Sequence, residues 1–311
     1  LRVGIIGAGS IAREHLKVVQ SLDGMSLCGV TSRTRSSAKK LANEFSEVAV
    51  YKSPIELAEK GRADALLVLV SADQIFSVVQ ELLLIGLPLF IEKPPGLSPE
   101  ETSVLADYAE LHGIANMVGF NRRFYSIFHK GVEIIKQHGS LLGLVIEGHE
   151  RFWKIKDRVS ETIREHWIYA NSTHTIDLLR FFGGEPRLIH ALVNSNVEKN
   201  ADQFSTTIAF ESGALGNYSS HWYSPGGWSV RLFGDGVTVE FKPLEKARWL
   251  DTDFKVHEIK ADNEDINFKP GFFRQMASFE RLVRSGVLEW PAQDLREAQK
   301  TMELTSKISG A

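Results

Sequence analysis

Short, continuously apolar runs alternate with helix-period segments over the first 120 residues of the chain. The apolar runs, which predict strands, are Arg2–Ile6, Ser26–Thr31, Val48–Tyr51, Ala65–Val70, Pro88–Ile91 and Ala115–Gly119. Helical spacing of apolar positions is found near 10–22, 35–45, 54–60, 73–85 and 98–112. Because the runs do not alternate polar with apolar positions, they predict a parallel sheet buried on both faces. This β-α repetition is typical of a Rossmann-type, doubly wound α/β domain that binds ligands at the carboxyl ends of its strands.

The pattern changes after a predicted helix near 122–137. Strand-like segments joined by short turns follow at 143–153, 187–195, 203–211, 214–221, 228–233, 236–241 and 247–259. Further helices are predicted near 172–182, 270–286 and 292–308. This half indicates an α+β domain with an open, mostly antiparallel sheet. We therefore expect two domains, a dinucleotide-binding domain over 1–120 and a substrate-binding and oligomerisation domain over 121–311.

The predicted second sheet bears on the oligomeric state. Seven strands with few helices to cover them would leave one apolar face of the sheet exposed. Monomers rarely expose large apolar patches. Isologous pairing of two such faces is the simplest closure, so the pattern predicts a homodimer or homotetramer.

Composition excludes several classes of protein. The net charge of −3 and the pI near 6.4 provide no basic field that would attract nucleic acid. The longest apolar stretch, 82–91, has ten residues, whereas a membrane-spanning helix needs about 20, so no membrane span is expected. The single cysteine, Cys28, excludes an internal disulfide, and the histidines lack the spacing of metal ligands. We expect a protein of the reducing cytoplasm that binds neither nucleic acid nor a metal.

A glycine-rich turn follows the first predicted strand. The strand runs into Gly7-Ala-Gly9-Ser-Ile-Ala12 and then into a helix. Gly7 allows a tight turn, Gly9 lets the backbone approach a pyrophosphate, and Ala12 lets helix and strand pack closely. Ser10 and Ile11 begin the helix, whose N-terminal end attracts the anion. The pattern predicts a dinucleotide site, with a glycine-rich turn that binds no cofactor as the alternative.

The end of the second predicted strand bears on the choice of cofactor. An acidic residue there would bind the ribose 2′-hydroxyl of NAD. This chain has Ser32, Arg33 and Thr34 instead, and arginine and hydroxyl groups are phosphate donors. The sequence therefore favours NADP over NAD, and the alternative is a solvated, basic helix start. Ser71 and Glu92, which follow later strands of the same sheet, are further candidates for the cofactor site.

Three more motifs follow in order: Glu92-Lys93-Pro94, Asn121-Arg-Arg-Phe124 and His174-Thr-Ile-Asp177. With the glycine turn, this set resembles the Gfo/Idh/MocA oxidoreductase family over the whole chain. The resemblance implies a Rossmann domain followed by a domain with an open-faced sheet. It also implies oxidation or reduction at a carbinol carbon of a sugar, a sugar derivative or a cyclitol, with Lys93 and His174 beside the nicotinamide.

The chemistry of these two side chains fits that role. Lys93 lies at the carboxyl end of a buried strand, where it could stabilise a developing oxyanion; a surface lysine is the alternative. His174 begins a predicted helix, capped by Asn171 or Ser172, whose N-terminal end disfavours imidazolium. A neutral His174 is predicted to act as general base in oxidation or general acid in reduction. An exchange of the two roles is the alternative.

The chain departs from the family four residues before the histidine. Relatives usually carry an aspartate there, and this chain has Ala170, so we expect a different substrate or mechanism, with loss of catalysis as the alternative. The candidates for substrate binding are Arg123, Trp167, Tyr169, Asn171 and Asp177. Asp177 could instead orient His174 or compensate the helix dipole, and Arg123 could instead form an ion pair at the domain junction. His15 is interpreted as structural.

The leading functional hypothesis is an NADP-dependent dehydrogenase or reductase that acts on a carbohydrate-like small molecule. One alternative is a glycosidase or epimerase-like enzyme that retains its cofactor. Another is a non-catalytic, NADP-binding sensor protein. The presence of both Lys93 and His174 argues against the sensor, since loss of catalysis would leave nothing to maintain them.

Overall fold

The computed structural model describes residues 1–45 and 48–310. The chain forms two compact units. Unit 1 comprises Leu1–Asn121 and Asn267–Lys300, and unit 2 comprises Arg122–Ile266 and the chain from Thr301 onward. Within the described ranges, every helix is too short or too polar to cross a membrane.

The strands of the described residues form two sheets. In chain order they are β1 (Arg2–Ile6), β2 (Ser26–Thr31), β3 (Ala65–Val68), β4 (Leu89–Ile91), β5 (Asn116–Val118), β6 (Gly143–Gly148), β7 (Pro186–Asn194), β8 (Gln203–Phe210), β9 (Leu215–His221), β10 (Trp228–Gly234), β11 (Val237–Phe241), β12 (Ala247–Leu250) and β13 (Val256–Ile259). Unit 1 holds a parallel sheet in the order β2-β1-β3-β4-β5. Unit 2 holds a sheet in the order β13-β12-β11-β10-β6-β9-β8-β7, in which β6 and β9 are parallel and the other pairs antiparallel. The predicted fold class is confirmed.

The helices are α1 (Ser10–Ser21), α2 (Arg35–Glu44), α3 (Pro54–Lys60), α4 (Ala72–Leu83), α5 (Pro99–Leu111), α6 (Ser126–Gln137), α7 (Phe152–Ile155), α8 (Glu161–Glu165), α9 (Thr173–Gly183), α10 (Asn263–Asn267), α11 (Phe272–Ser285) and α12 (Leu295–Ser309). Two of them begin at a Ser-Pro-x-Glu sequence. The hydroxyls of Ser53 and Ser98 accept the amides of Glu56 and Glu101, which caps α3 and α5. Proline in the first turn costs nothing, because its missing N–H would be unpaired there. These two starts are therefore determined locally.

The order of the parallel sheet positions the dinucleotide side of the molecule. Chain order reverses between β1 and β3, and the loops that follow such strands border the crevice that binds ligands in doubly wound sheets. Every residue of β3 and β4 is buried, as expected for strands that are covered on both faces. The glycine turn after β1 thus lies at the switch point of the sheet.

The predicted strand over Val48–Tyr51 is wrong. Its pairing is limited to a single parallel bridge between Val50 and Val30. The chain turns almost at once to begin α3, because Ser53 has to reach the amide of Glu56 to cap that helix. The segment 48–51 is therefore too short to form a ladder of backbone hydrogen bonds with β2.

The predicted second domain, 121–311, needs a correction, because residues 267–300 cluster with unit 1. Helix α11 packs along α1, and its apolar face buries Phe272 and Phe279. The ring centroid of Phe279 lies 5.6 Å from that of Phe90 on β4. A parallel sheet needs cover on both faces, and the chain returns to supply part of that cover after completing the second sheet.

Two differences concern the sheet of unit 2. The segment predicted as one strand over 247–259 is two strands, since the Asp251 carboxylate accepts the amides of Asp253 and Lys255 and closes a turn. The strand predicted over 143–153 ends at Gly148, and two short helices that the sequence did not reveal, α7 and α8, follow it. Tight turns built by a side chain and single helical turns are both too local to alter the apolar period.

The face of this sheet away from α6 and α9 was expected to be apolar, and this expectation is wrong. Strand register places Arg231, Glu240, Arg248 and Glu258 side by side in one row on that face. Nη2 of Arg248 lies 2.7 Å from Oε2 of Glu240. A neighbouring row, which follows from the same register, holds the exposed side chains of Leu188, Leu215 and Val256. The open face is therefore striped, with apolar and charged rows side by side.

Candidate functional site

The turn after β1 has the geometry that a dinucleotide requires. Gly7 has φ +108° and donates its amide to the carbonyl of Thr31 at 2.9 Å. A Cβ at this position would collide with the carbonyl of Leu69, so only glycine fits. A Cβ at Gly9 would meet nothing within 4 Å, so a ligand can approach the backbone there. Gly9 is also the N-cap of α1 and has no side chain to cap the first amides of the helix, which suits a pyrophosphate.

The residues after β2 are the candidates for cofactor discrimination. β2 ends at Thr31, and the following Ser32 is half-buried while Arg33 and Thr34 are exposed. Nη1 of Arg33 lies 3.4 Å from Oε1 of Gln74, a long contact that leaves the guanidinium easy to reorient. Hydroxyl and guanidinium donors can hold a phosphate at this strand end, where a carboxylate would instead hold a ribose hydroxyl.

The remaining cofactor-side candidates follow β3 and β4. Ser71 is the N-cap of α4, and its hydroxyl donates to Oδ1 of Asp73 at 2.6 Å. Glu92 directly follows β4 and is buried, while Lys93 is half-buried. The amide of Lys93 donates to Oε2 of Glu92 at 3.1 Å, and the Lys93–Pro94 peptide bond is cis. All three residues thus follow the carboxyl ends of parallel strands.

His174 is the second residue of α9 but does not stand at a free helix end. A π-helical segment, Ile168–Ser172, runs directly into α9, and Ser172 has helical backbone angles of φ −67° and ψ −18°. The predicted cap at Asn171 or Ser172 is therefore wrong. Because the helical run starts about five residues earlier, His174 lies one turn inside it, and a helix dipole acts mainly on its first turn. The expectation that the dipole keeps this imidazole neutral has no basis in the structure.

Asn171 and Ser172 instead hold a carboxylate. Nδ2 of Asn171 donates to Oε2 of Glu150 at 2.8 Å, and Oγ of Ser172 donates to Oε1 at 2.9 Å. Glu150 is only 4% exposed. Beside it, the hydroxyls of Tyr218 and Thr175 lie 3.3 Å apart, and burial raises the pKa of Tyr218, which stays protonated. An anion is thus fixed by charge-assisted hydrogen bonds next to the start of α9.

Glu150 also lines a cavity of about 470 Å³ within unit 2, together with His149, Arg151, Gly226, Gly227, Trp228 and Lys242. The Trp228 ring centroid lies 5.8 Å from that of His174, and Cζ of Arg122 lies 4.6 Å from the same indole centroid. Trp228 therefore connects the imidazole with the cavity. The cavity volume lies within the range of about 300–1,000 Å³ that is typical of small-molecule sites.

His149, which lines this cavity, accepts a hydrogen bond. The backbone amide of His221 donates to Nδ1 of His149 at 3.2 Å, and the two rings stack with centroids 5.5 Å apart. Burial is the main cause that lowers the pKa of His149, and the nearby Glu147 only partly opposes it. His149 is therefore neutral at pH 7. Among the described residues, no group of three or more His, Cys, Asp or Glu side chains could hold a metal ion.

Two of the predicted substrate contacts bind each other. Nε and Nη2 of Arg123 donate to Oδ2 and Oδ1 of Asp177 at 2.7 and 2.9 Å, and both residues are buried. This pair lies wholly within unit 2. Arg123 therefore forms an ion pair, which was the alternative that the sequence left open. Asp177 is buried in this pair, so it neither compensates the helix dipole at the surface nor offers its carboxylate to a ligand.

The aromatic candidates differ from each other. Trp167 is buried and packs with its ring centroid 5.6 Å from that of Phe152, which also packs on Trp222. Trp167 therefore belongs to the core and offers no platform to a sugar ring, contrary to the prediction. Tyr169 is half-buried, and its carbonyl accepts the hydroxyl of Thr173 at 2.9 Å.

Sequence reasoning missed Glu150 and the pairing of Arg122 with Trp228. The signal for Glu150 was present, because the alternation that places Leu144 and Ile146 inward reaches residue 150 if it is counted along the whole strand predicted over 143–153. A carboxylate at such an inward position needs hydrogen-bond donors. Arg122 was overlooked beside the neighbouring Arg123. Nothing local in the sequence distinguishes which of two adjacent arginines stays near the surface.

Two family models match the chain. Residues 1–120 match the model described as an oxidoreductase family with an NAD-binding Rossmann fold, and residues 146–240 match the GFO/IDH/MocA C-terminal domain. The chain belongs to the Gfo/Idh/MocA family. It is therefore an oxidoreductase with an NAD-binding Rossmann domain, as the ordered motifs suggested.

Several relatives of this family member are named as dehydrogenases. The chain is 21% identical over 319 residues to the D-xylose 1-dehydrogenase (NADP(+)) 2 of Haloferax volcanii, an alignment that covers 98% of this chain and 95% of the relative. It is 25% identical to the myo-inositol 2-dehydrogenase of Thermotoga maritima, over 70% of this chain and 67% of the relative. The structure of a dehydrogenase (MviM) from Clostridium difficile has the same fold, with a TM-score of 0.84 at 19% identity over 100% and 99% of the two chains. The alignments with three other curated relatives span 38% to 64% of those proteins.

Proposed function

We propose that this oxidoreductase transfers a hydride between a nicotinamide cofactor and a carbinol or carbonyl carbon of a sugar, a sugar derivative or a cyclitol. The observation that carries the proposal is the grouping of His174, Trp228 and the Glu150 cavity within unit 2. An imidazole can exchange a hydroxyl proton, an indole presents a flat apolar face, and a carboxylate accepts hydrogen bonds from hydroxyls. The two relatives named for xylose and myo-inositol support the same substrate class.

We propose NADP as the cofactor, with NAD as the alternative. The support is the set Ser32, Arg33 and Thr34 at the end of β2, since a guanidinium pairs with a 2′-phosphate in bidentate geometry. Gly7, Gly9 and the first-turn amides of Ser10 and Ile11 would hold the pyrophosphate. When bound, the nicotinamide accepts or supplies the hydride. Ser71 and Glu92 would complete the protein side of this site.

In this proposal His174 takes the proton of the reacting hydroxyl in oxidation and returns it in reduction. Lys93 stabilises the same oxygen while it carries negative charge. The exchange of these two roles is the alternative. Glu150 accepts a substrate hydroxyl that does not react and so orients the sugar ring, while Asn171 and Ser172 hold the carboxylate in place. Tyr169 remains a candidate for an outer contact.

We further propose that the chain forms a homodimer or homotetramer through the open face of the second sheet. Pairing by a two-fold axis would cover the apolar row of Leu188, Leu215 and Val256. The charged row of one chain could then face the same row of its partner, with arginine opposite glutamate. Light scattering at micromolar concentration is expected to give at least twice the mass of one chain, and a monomer would rule the proposal out.

The function is tested by a panel of sugars, sugar derivatives and cyclitols, each supplied with NADP or NAD while the absorbance of reduced nicotinamide is followed. Sustained turnover with at least one polyol is expected, and Lys93→Met should remove most of it without loss of dinucleotide binding. Substrate conversion without net dinucleotide turnover would instead indicate an enzyme that retains its cofactor. Tight binding of the dinucleotide with no turnover across the panel would contradict the proposal and indicate a sensor.

A further inference from the structure

A buried histidine and a buried carboxylate form a pair next to the Glu92-Lys93 turn of unit 1. Nε2 of His15, on α1, lies 2.8 Å from Oε1 of Glu92. His15 is 0% exposed and the side chain of Glu92 is 10% exposed. Since an ionised carboxylate only accepts hydrogen bonds, Nε2 is the donor. The other oxygen, Oε2, accepts the amide of Lys93 at 3.1 Å.

The His15 ring is held in one orientation by aromatic neighbours. Its centroid lies 5.0 Å from that of Phe90 and 4.6 Å from that of Phe272. Nδ1 is buried and has no hydrogen-bond partner among the described residues. A buried polar atom without a partner is unfavourable, so an apolar side chain would fill this space at lower cost. The bond to Glu92 is what distinguishes His15 from a residue that only fills the core.

Glu92 has little freedom of its own. Its amide donates to the carbonyl of Val68 at 2.9 Å, which continues the pairing beyond β4. Gly119 passes close by, since a Cβ there would lie 3.3 Å from both Cα and Cδ of Glu92. The carboxylate is thereby clamped between the imidazole, the close backbone of residue 119 and the amide of Lys93.

We propose that His15 is a positioning residue that fixes Lys93 through Glu92. The inference rests on the proposed function, in which Lys93 acts on the reacting oxygen. Removal of the imidazole donor leaves Glu92 as a buried anion with one donor fewer. The ammonium of the next residue, Lys93, can then replace the imidazole as its partner. An anion close to an ammonium raises the pKa of that ammonium and lowers the fraction of free amine.

Competitive acetylation reads this out without any substrate. The full-length protein is labelled with limiting acetic anhydride near pH 8, and the labelling of each lysine is measured by peptide mass spectrometry. Lys60, an exposed lysine on α3, is the internal reference. His15→Phe should slow labelling of Lys93 relative to Lys60 by about threefold or more, because half a pKa unit changes the amine fraction by that factor. His15→Gln, whose amide can donate from a similar reach, should stay close to wild type.

Two further variants make the result unambiguous. His15→Asn, whose amide is too short to reach Glu92, removes the donor without enlarging the side chain and should repeat the effect of His15→Phe. Leu16→Ala empties a buried position on the same helix but leaves the pair intact, so it should lower the melting temperature and leave Lys93 labelling unchanged. Unchanged labelling in both His15→Phe and His15→Asn would overturn the inference, as would equal slowing in Leu16→Ala.

Turnover separates this inference from the proposed function. With a substrate from the panel, His15→Phe is expected to lower kcat while KM and the dinucleotide Kd stay near wild type, and His15→Gln should restore kcat. Full activity of Lys93→Met would contradict the catalytic role of Lys93 but leave the labelling result standing. If the labelling of Lys93 did not change in the His15 variants, the positioning role would be overturned even if the enzyme were active.

Discussion

Arg123 and Asp177 form a buried, bidentate ion pair that joins the first turn of unit 2 to the helix carrying His174. Asp177 is 1% exposed, and its Oδ1 also accepts the hydroxyl of Thr301 at 2.9 Å. The pair therefore sets the position of α9 against the segment that begins at residue 122. The pair holds α9 in place, and both side chains are too deeply buried to contact a substrate.

Removing one member of this pair should destabilise the protein strongly. Asp177→Asn is expected to cost about 3–5 kcal/mol of unfolding free energy, because it leaves a buried guanidinium without its counter-charge. Denaturant unfolding followed by tryptophan fluorescence measures the loss. The surface pair of Glu297 and Lys300 provides the control, since Glu297→Gln should cost at most about 1 kcal/mol. A loss in Asp177→Asn no larger than in the control would contradict a structural role for the pair.

Arg33→Asp should change the choice of cofactor. An aspartate there would repel a 2′-phosphate and accept a 2′-hydroxyl, so the ratio of NADP to NAD affinity should fall about 10- to 100-fold, the value of one charge-assisted hydrogen bond. Titration of both dinucleotides against wild type and variant gives the ratio. Lys39→Asp, an equal charge reversal on the exposed side of α2, should leave it unchanged. An unaltered ratio in Arg33→Asp would end the assignment of NADP to this strand end.

His174→Asn should reduce turnover by roughly 10²–10⁴, the usual contribution of general acid-base catalysis. Dinucleotide affinity should not change, because the imidazole contacts the indole of Trp228 within unit 2. His138→Asn, at an exposed position at the end of α6, is the matched control and should keep full activity. If His174→Asn kept the wild-type rate, the proton would have to be handled by Lys93 or by bound water.

Glu150→Gln should weaken substrate binding. The glutamine amide is neutral and has only one oxygen, so it cannot replace both carboxylate oxygens that accept from Asn171 and Ser172 and also accept from a substrate hydroxyl. KM should therefore rise by roughly tenfold or more, the value of a hydrogen bond to a charged group. Steady-state kinetics with a substrate from the panel provide the test. Glu147→Gln removes a carboxylate that binds Ser229 and Lys242 instead, and it should leave KM near wild type. Equal KM values for the two variants would mean that Glu150 is only structural.

His149 should make stability depend on pH. Burial lowers its pKa below the ordinary value of 6.5, so the unfolded chain takes up the proton at a higher pH than the folded chain. The stabilisation is therefore complete above pH 6.5 and is lost as the pH falls through the lower folded value. Calorimetric melting from about pH 7.5 to about pH 5 should show a shallower fall in Tm for His149→Gln than for wild type. A fall as steep as that of the wild type would contradict this assignment, and His138→Gln should resemble the wild type.

Several features could be predicted because they depend on neighbours in the chain. The glycine turn after β1, the Ser-Pro-x-Glu helix starts and the change from continuous to alternating apolar runs all lie within a few residues of what they determine. Family membership followed from the order of such local motifs. The same reasoning placed Lys93 at a strand end, but it also placed His174 at a free helix start, which the π-helical segment before α9 contradicts.

The tertiary structure alone decided which charges meet. His15 and Glu92 are 77 residues apart in sequence, Arg123 and Asp177 are 54 apart, and Asn171 reaches back 21 residues to Glu150. A buried charge must find a partner, but the sequence lists many candidates, and only the packing of strands and helices brings one of them within hydrogen-bond distance. For the same reason the return of α11 to the first sheet could not be predicted. Local spacing determined the elements and their candidate chemistry, and long-range burial determined which side chains can perform it.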